Sequence, residues 1–395
     1  MNKNLWLLAV AQGLFLTNNV TFIAINGLVG LSLAPLGWMA TLPVMGYVVG
    51  GALSTGLVAR TQSRWGRKVS FQLGLLVALV SALTGAWAVA HQHFWLLVAA
   101  TVVAGYYSAN GQLYRFAAAE LAAPGFKEKA VSLVLAGGLL GAVLGPNLAS
   151  RTRTLADVPF MGAYLALAVV AVLSMLVMAG VRFPDASAQK PGAAQTAADA
   201  ARPLREIARQ PVFIVAAGAS ALSYGVMNLL MAATPLAMQV CGYPFEDAAL
   251  VLEWHVIGMF APGFFTGHLI KRFGVLPMMG VGVALNALCI AIALTGQDLH
   301  QFLGALLLLG VGWNFLFTGA TTLAMQAYRP SEKDAAQATI NFWVFATMAL
   351  TSFASGALVT TQGWSVLNWG SLLPVALMAA GLLWLARKQS GKKAG

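Results

Sequence analysis

The sequence predicts an all-α integral membrane protein, with twelve transmembrane helices in two six-helix, pseudo-symmetric bundles. Three observations carry this expectation. Of the 395 residues, 59% are hydrophobic and only 9% are charged, against about 25% charged in soluble domains. The apolar residues fall in runs close to the ~20 that a helix needs to cross a hydrocarbon core, without the alternation that marks membrane strands. Motifs that flank the runs of the first half also recur in the second.

In chain order, Met1-Asn2-Lys3-Asn4 carries too little positive charge for a removed leader, and no small-residue cleavage site follows it. The run 5–30 is therefore expected to be a retained span. Further spans at 37–59, 69–90, 94–118, 129–150 and 158–181 complete an N-terminal bundle over 1–181. Residues 182–210, with Ala186-Ser187-Ala188-Gln189-Lys190-Pro191-Gly192, read as a flexible cytoplasmic linker. Spans at 211–239, 247–270, 275–296, 300–327, 337–360 and 366–386 form a C-terminal bundle over 211–386, and 387–395 is a basic cytoplasmic tail.

Lysine and arginine accumulate in cytoplasmic loops. On this map Lys3, Arg60, Arg64, Arg67, Lys68, Lys127, Lys129, the linker, Lys271, Arg272, Arg329, Lys333 and the tail from Arg387 share one side. Only Arg151 and Arg153 fall opposite, so both termini are expected in the cytoplasm. The net charge of +11 belongs to these loops and does not signal nucleic acid. Two cysteines, Cys241 and Cys289, support neither a disulfide framework nor a zinc site. Zinc-protease and phosphate-loop motifs are missing from the sequence, which argues for gradient-driven transport and against an enzyme.

Met227 and Met231 in the seventh span, and His255 and Met259 in the eighth, are each spaced i, i+4, on one helix face. If these spans form an antiparallel hairpin about Tyr243, Met231 is level with His255 and Met227 with Met259, roughly 12 and 18 Å below the outer end. Thioethers with imidazole suit copper and suit magnesium or calcium poorly. With 15 methionines and 5 histidines in the chain, either spacing arises singly by chance, and methionine fills cores. Two depth-matched pairs on consecutive spans, one with an intramembrane histidine, point to ligation. Glu253, on another face of the same span, is a candidate proton-coupling carboxylate, with a structural role as the competing reading. Tyr106, Tyr107 and Asn110 are candidates for the wall of a cavity taking a flat organic ligand. Gln12, Thr17, Asn18, Asn19 and Asn26 in the first span read as interhelical bonding.

Arg64-Trp65-Gly66-Arg67-Lys68 after the second span is echoed by Lys271-Arg272-Phe273-Gly274 after the eighth. This loop resembles the cytoplasmic gate signature of the major facilitator superfamily, with Arg64, Gly66, Arg67 and Lys68 matching. Ser63 replaces the signature's aspartate, and Lys271 stands at that position in the second copy. Gly141, Gly145 and Pro146 resemble a motif of its drug/proton antiporters, while small residues at this spacing also serve close helix packing. The two methionine and histidine pairs, with His255 28 residues after Met227, resemble the CcoA-type copper importers of that superfamily. The resemblance implies Met227, Met231, His255 and Met259 as copper ligands and Cys241 as an auxiliary group. It implies copper as transported substrate, no resident cofactor, a cytoplasmic copper acceptor serving haem-copper oxidase maturation, and a bacterial cytoplasmic membrane. Related CcoA-like members are linked to riboflavin uptake. A small organic substrate, riboflavin-like or exchanged for protons as drugs are, is the alternative.

Overall fold

The structure, a computed structural model, describes residues 3–123, 127–183 and 202–393. Its first half comprises α1 (Lys3–Leu33), α2 (Leu42–Ala90), α3 (Phe94–Gly111), α4 (Tyr114–Leu121), α5 (Lys127–Thr152) and α6 (Met161–Ala179). A short α7 (Leu204–Ala208) leads into α8 (Pro211–Val240), α9 (Phe245–Phe260), α10 (Gly263–Phe273), α11 (Val275–Thr295), α12 (Leu299–Ala324), α13 (Lys333–Thr361) and α14 (Gly363–Lys393). In hydrocarbon a helix bonds its own backbone, so each apolar run closes as a rod.

Eight helices among the described residues are long and apolar enough to cross a membrane, or nine with the bent pair α9–α10 as one span. The remaining rods are the second arm of α2, the broken pair α3–α4, and α5, which makes twelve. At 1.5 Å per residue a straight α2 would run roughly 75 Å, more than two hydrocarbon cores. It turns instead at Gly66, where φ is 78°, a conformation open to glycine. The fold-back brings the Thr61 and Ser70 hydroxyls to 3.0 Å. Gly274, at the equivalent point of the second copy, has φ 92°. The repeat seen in sequence is thus a repeat of backbone geometry.

Several boundaries depart from the sequence reading. The fourth span breaks at Gln112–Leu113, between α3 and α4. The eighth breaks where Pro262 ends α9, with a bend of 43°, because proline supplies no N–H to the helix ladder. The basic tail continues α14 as far as Lys393. Residues 184–201 of the linker, and the last two of the tail, lie outside the described residues. The linker's end is anchored: Arg202 bonds both carboxylate oxygens of Glu332 at 2.8 Å and also donates to Ala327 O.

The rods approach through small residues. A Cβ on Gly105 would collide with the backbone of Gly50 and Gly51, and one on Gly50 with Val102 O, so α2 and α3 cross almost backbone to backbone. Gly137, Gly141 and Gly145 of α5 face Ala9, Gly13, Thr17 and Val20 of α1 in the same way, and Thr21 donates to Gly145 O at 2.8 Å. This is the packing role of the Gly141–Pro146 motif.

Gly105→Leu should lower stability by about 3 kcal/mol, since backbone cannot yield as a side chain does; the melting temperature in detergent checks this. Hydrogen bonds from Arg202, joined by the Arg329 and Arg202 amides, hold the Glu332 carboxyl well below the usual carboxylate range. Its contribution is complete above about pH 4.3 and is lost as pH falls from there through the depressed folded value. The stability gap between wild type and Glu332→Gln should therefore stay constant from about pH 7 to 5 and close only in stronger acid. A gap that narrows already near neutrality would refute the assignment.

Candidate functional site

Met227 and Met231 on α8, and Met259 on α9, are buried in one continuous core. His255 is fully buried. Its Nδ1 lies 2.7 Å from Leu306 O on α12. A carbonyl only accepts, so Nδ1 carries the proton, and Nε2 is left as a buried lone pair without a hydrogen-bond partner. A histidine oriented through one nitrogen with the other free is the arrangement metal sites use.

The packing around these residues corrects the hairpin picture. The helices α8 and α9 touch sparingly: α9 packs chiefly on α12 and α5, and α8 on α13 and α12. Gly258 and Gly310 explain this, because a Cβ on Gly310 would strike His255 O and one on Gly258 would meet Leu307 O at 2.8 Å. The imidazole is consequently anchored on α12, where depth matching on a two-helix hairpin had set it opposite Met231.

Cys241 caps the far end of α8 and is exposed. Burial of the thiol itself pushes its pKa up, and it donates to Gln297 Oε1 at 2.9 Å. That thiol pins the α8–α9 turn to the α11–α12 turn, fourteen residues along the chain from His255. Glu253 accepts from Asn147 Nδ2 of α5 at 2.8 Å. It therefore sits on the contact between the two halves, away from His255.

The organic-ligand candidates are bonded within the first half. Tyr107 is 1% and Asn110 0% exposed. Tyr107 packs edge-on against Phe15 at 5.4 Å. Asn110 accepts from Ser70 at 2.8 Å and donates to Tyr106 O at 3.0 Å, tying α2 to α3. The Tyr106 hydroxyl pairs with Thr61 at 2.9 Å. In the gate loop, Arg67 forms an ion pair with Glu120 of α4, so α4 supplies the acid that Ser63 does not. Lys68 donates to Ala179 O at 2.7 Å, and Arg64 lies over Trp65 at 5.6 Å.

A group overlooked in the sequence faces the line between the halves. Tyr224 of α8 meets Trp313 and Phe317 of α12 edge-on at 5.0 and 4.9 Å, and the last two stack at 5.2 Å and 7°. Phe260 of α9 borders Trp313 at 6.4 Å. Aromatic residues inside apolar runs look like core filler; the available signal was Trp313 and Phe317 at i, i+4.

Bonds between the halves cluster at the end far from the termini. There Arg153 pairs with Glu246 at 3.0 Å, Asn147 bonds Glu253, and Phe160 meets Phe245 at 5.4 Å. On the second helix pair, Thr41 accepts from Gly356 N at 3.1 Å and Trp38 packs on Phe353 at 5.8 Å. At the terminal end, Arg67–Glu120 and Arg202–Glu332 each join elements of one half. Leu53 and Leu57 of α2, and Phe342 and Trp343 of α13, are more than half exposed there. The described bonds between the halves are thus concentrated at the far end.

A two-bundle all-α fold with one end latched is that of a multi-pass membrane transporter. The chain belongs to the Major Facilitator Superfamily, whose family model matches residues 5–261 and 254–395. It is 38% identical over 382 residues to the riboflavin transporter RfnT of Brucella anthropi, covering 96% of this chain and 95% of that protein. Among solved structures it resembles a point mutant of the nucleoside transporter NupG (TM-score 0.73, 12% identity, 96% of this chain and 99% of the other). A bacterial homolog of the lysosomal transporter Spinster, inward-facing and occupied, aligns with TM-score 0.73 at 13% identity over 97% and 96% of the chains.

Arg153→Glu should weaken the far-end latch by about 1 kcal/mol, a screened surface effect, and so shift the two-state balance roughly fivefold. The charge-swapped pair with Glu246→Arg should recover most of it. Accessibility of cysteines introduced beneath the latch, read by maleimide labelling in all three proteins, checks both expectations.

Proposed function

We propose that this protein is a gradient-driven transporter of a small planar organic substrate of the riboflavin type, working by alternating access between its halves. The observation that carries the reading is the likeness to RfnT along nearly the whole chain. The aromatic group of Tyr224, Trp313, Phe317 and Phe260 supports it, since flat ligands bind where aromatic faces converge. With the basic loops on the cytoplasmic side, the latched end faces outward, in a bacterial inner membrane.

Copper import is the second reading, favoured by the unpartnered Nε2 of His255. In it Met227, Met231, His255 and Met259 take the ion as substrate, Glu253 couples protons, and a cytoplasmic acceptor withdraws the metal. All four ligands are buried, as is Trp313 of the aromatic group, so burial does not separate the two readings.

Uptake by purified protein in proteoliposomes separates the two. Riboflavin should accumulate, and replacing Met227, Met231 and Met259 together by leucine should change its rate less than about twofold, because such swaps conserve volume. Copper uptake abolished by that triple variant, with no riboflavin flux in wild type, would reverse the order of the readings.

A further inference from the structure

At the end far from the termini, a cavity of about 520 Å³ is walled by both halves, with Gln92, Arg153 and Phe160 from the first and Gln239, Tyr243 and Phe245 from the second. Cavities of roughly 300–1,000 Å³ hold small organic ligands. Gln92 and Phe160, with φ of 55° and 67°, are the two non-glycine residues at positive φ among the described residues, and both border this one space. Gln92 ends α2 at a position where glycine or asparagine is usual, and Phe160 is a bulky residue in a left-handed setting. The Phe160 ring meets Phe245 of the other half at 5.4 Å. Backbone strain of this kind gathers at ligand clamps.

The polar groups of the wall select the ligand. Arg153 is the one charged residue among the described lining residues, and it already pairs with Glu246 at 3.0 Å and lies over the Phe245 ring at 5.5 Å. Ser32 and Tyr243 donate their hydroxyls to Val29 O at 2.8 Å and to Gln297 O at 3.2 Å. There remain the carboxamides of Gln92 and Gln239, one from each half, exposed and without a hydrogen-bond partner among the described residues. A carboxamide sets donors beside an acceptor, the complement of a cyclic amide edge. Most of the remaining wall is apolar, three prolines and the rings of Phe160 and Phe245 included.

We infer that this cavity is a second ligand site, apart from the aromatic group of Tyr224 and Trp313, for an uncharged flat ring compound with a cyclic amide or imide edge, and that its ligand holds the far end closed. The ring lies against Phe160 and Phe245, and the edge bonds Gln92 and Gln239 across the seam. Because the walls come from both halves, the site is complete only while the Arg153–Glu246 and Phe160–Phe245 contacts are made. A ligand that binds one of two states shifts the balance toward it. Filling the cavity therefore opposes opening at this end, whatever the protein carries.

The test is equilibrium binding to the full-length protein in detergent, followed by ligand fluorescence, with matched flat probes. Phenanthridinone has an uncharged cyclic amide edge, phenanthridine lacks the carbonyl, and phenanthrene-9-carboxylate bears a charge. Phenanthridinone should bind most tightly. Gln239→Leu and Gln92→Gly, the second suited to a positive φ, should each weaken it about fivefold, the loss of one neutral hydrogen bond, and leave phenanthridine within twofold. Both side chains are exposed, so neither change removes a core contact. Phenanthridinone should also slow maleimide labelling of cysteines introduced beneath the latch about threefold, and slow it less at the same concentration when both glutamines are replaced. Unchanged phenanthridinone affinity in both variants, an equal loss for phenanthridine, or tighter binding of the carboxylate overturns the inference. Absence of phenanthridinone binding, or binding that leaves the labelling rate unchanged, overturns it too. Riboflavin or copper uptake decides none of these outcomes, so this site and the transport reading fail separately.

Discussion

Hydrocarbon offers no hydrogen bonds, and each backbone amide inside it must find its partner in the same rod. Helices follow from this, and so does what holds them together. Rods already apolar outside gain little from hiding more apolar surface from lipid, so close approach supplies the specificity. That is why glycine recurs where α2 crosses α3, where α5 lies along α1 and where α9 meets α12. The last crossing also decides the orientation of His255, because only two glycines allow α12 near enough for Leu306 O to take the imidazole proton.

Much of this was legible from the chain alone. Span number, the repeated loop and the superfamily follow from run length, basic loops and Arg64-Trp65-Gly66-Arg67-Lys68, all local properties of sequence. Breaks within the fourth and eighth spans were less visible, since hydropathy continues across Gln112 and Pro262. Which helices become neighbours was not legible. Consecutive spans invite a hairpin, yet α9 leaves α8 for α12 and α5, a choice set by glycines distant in sequence.

Site residues divide along the same line. Tyr107 and Asn110 are polar residues at mid-depth, as cavity residues are, but their bonds to Ser70 and the ring of Phe15 turn them inward. Trp313 and Phe317 looked like filler, and neighbours on other helices give them a common face. The methionines and the aromatic group belong to one core, with Met227, Met231, Met259 and Trp313 buried and Tyr224, Phe260 and Phe317 half-buried against them.

The latch between α5 and α9 has two rungs on one face. On α9 they are Glu246 and Glu253, seven residues and two helical turns apart. The outer rung, Arg153 with Glu246, joins two charges in contact with water, where ions screen it. Its inner companion, Asn147 with Glu253, is a half-buried hydrogen bond to a neutral amide. The exposed ion pair is the rung that salt weakens, and the half-buried amide–carboxylate bond is the rung that salt reaches least. Two contacts that differ in their exposure to ions thus lie in series along one seam.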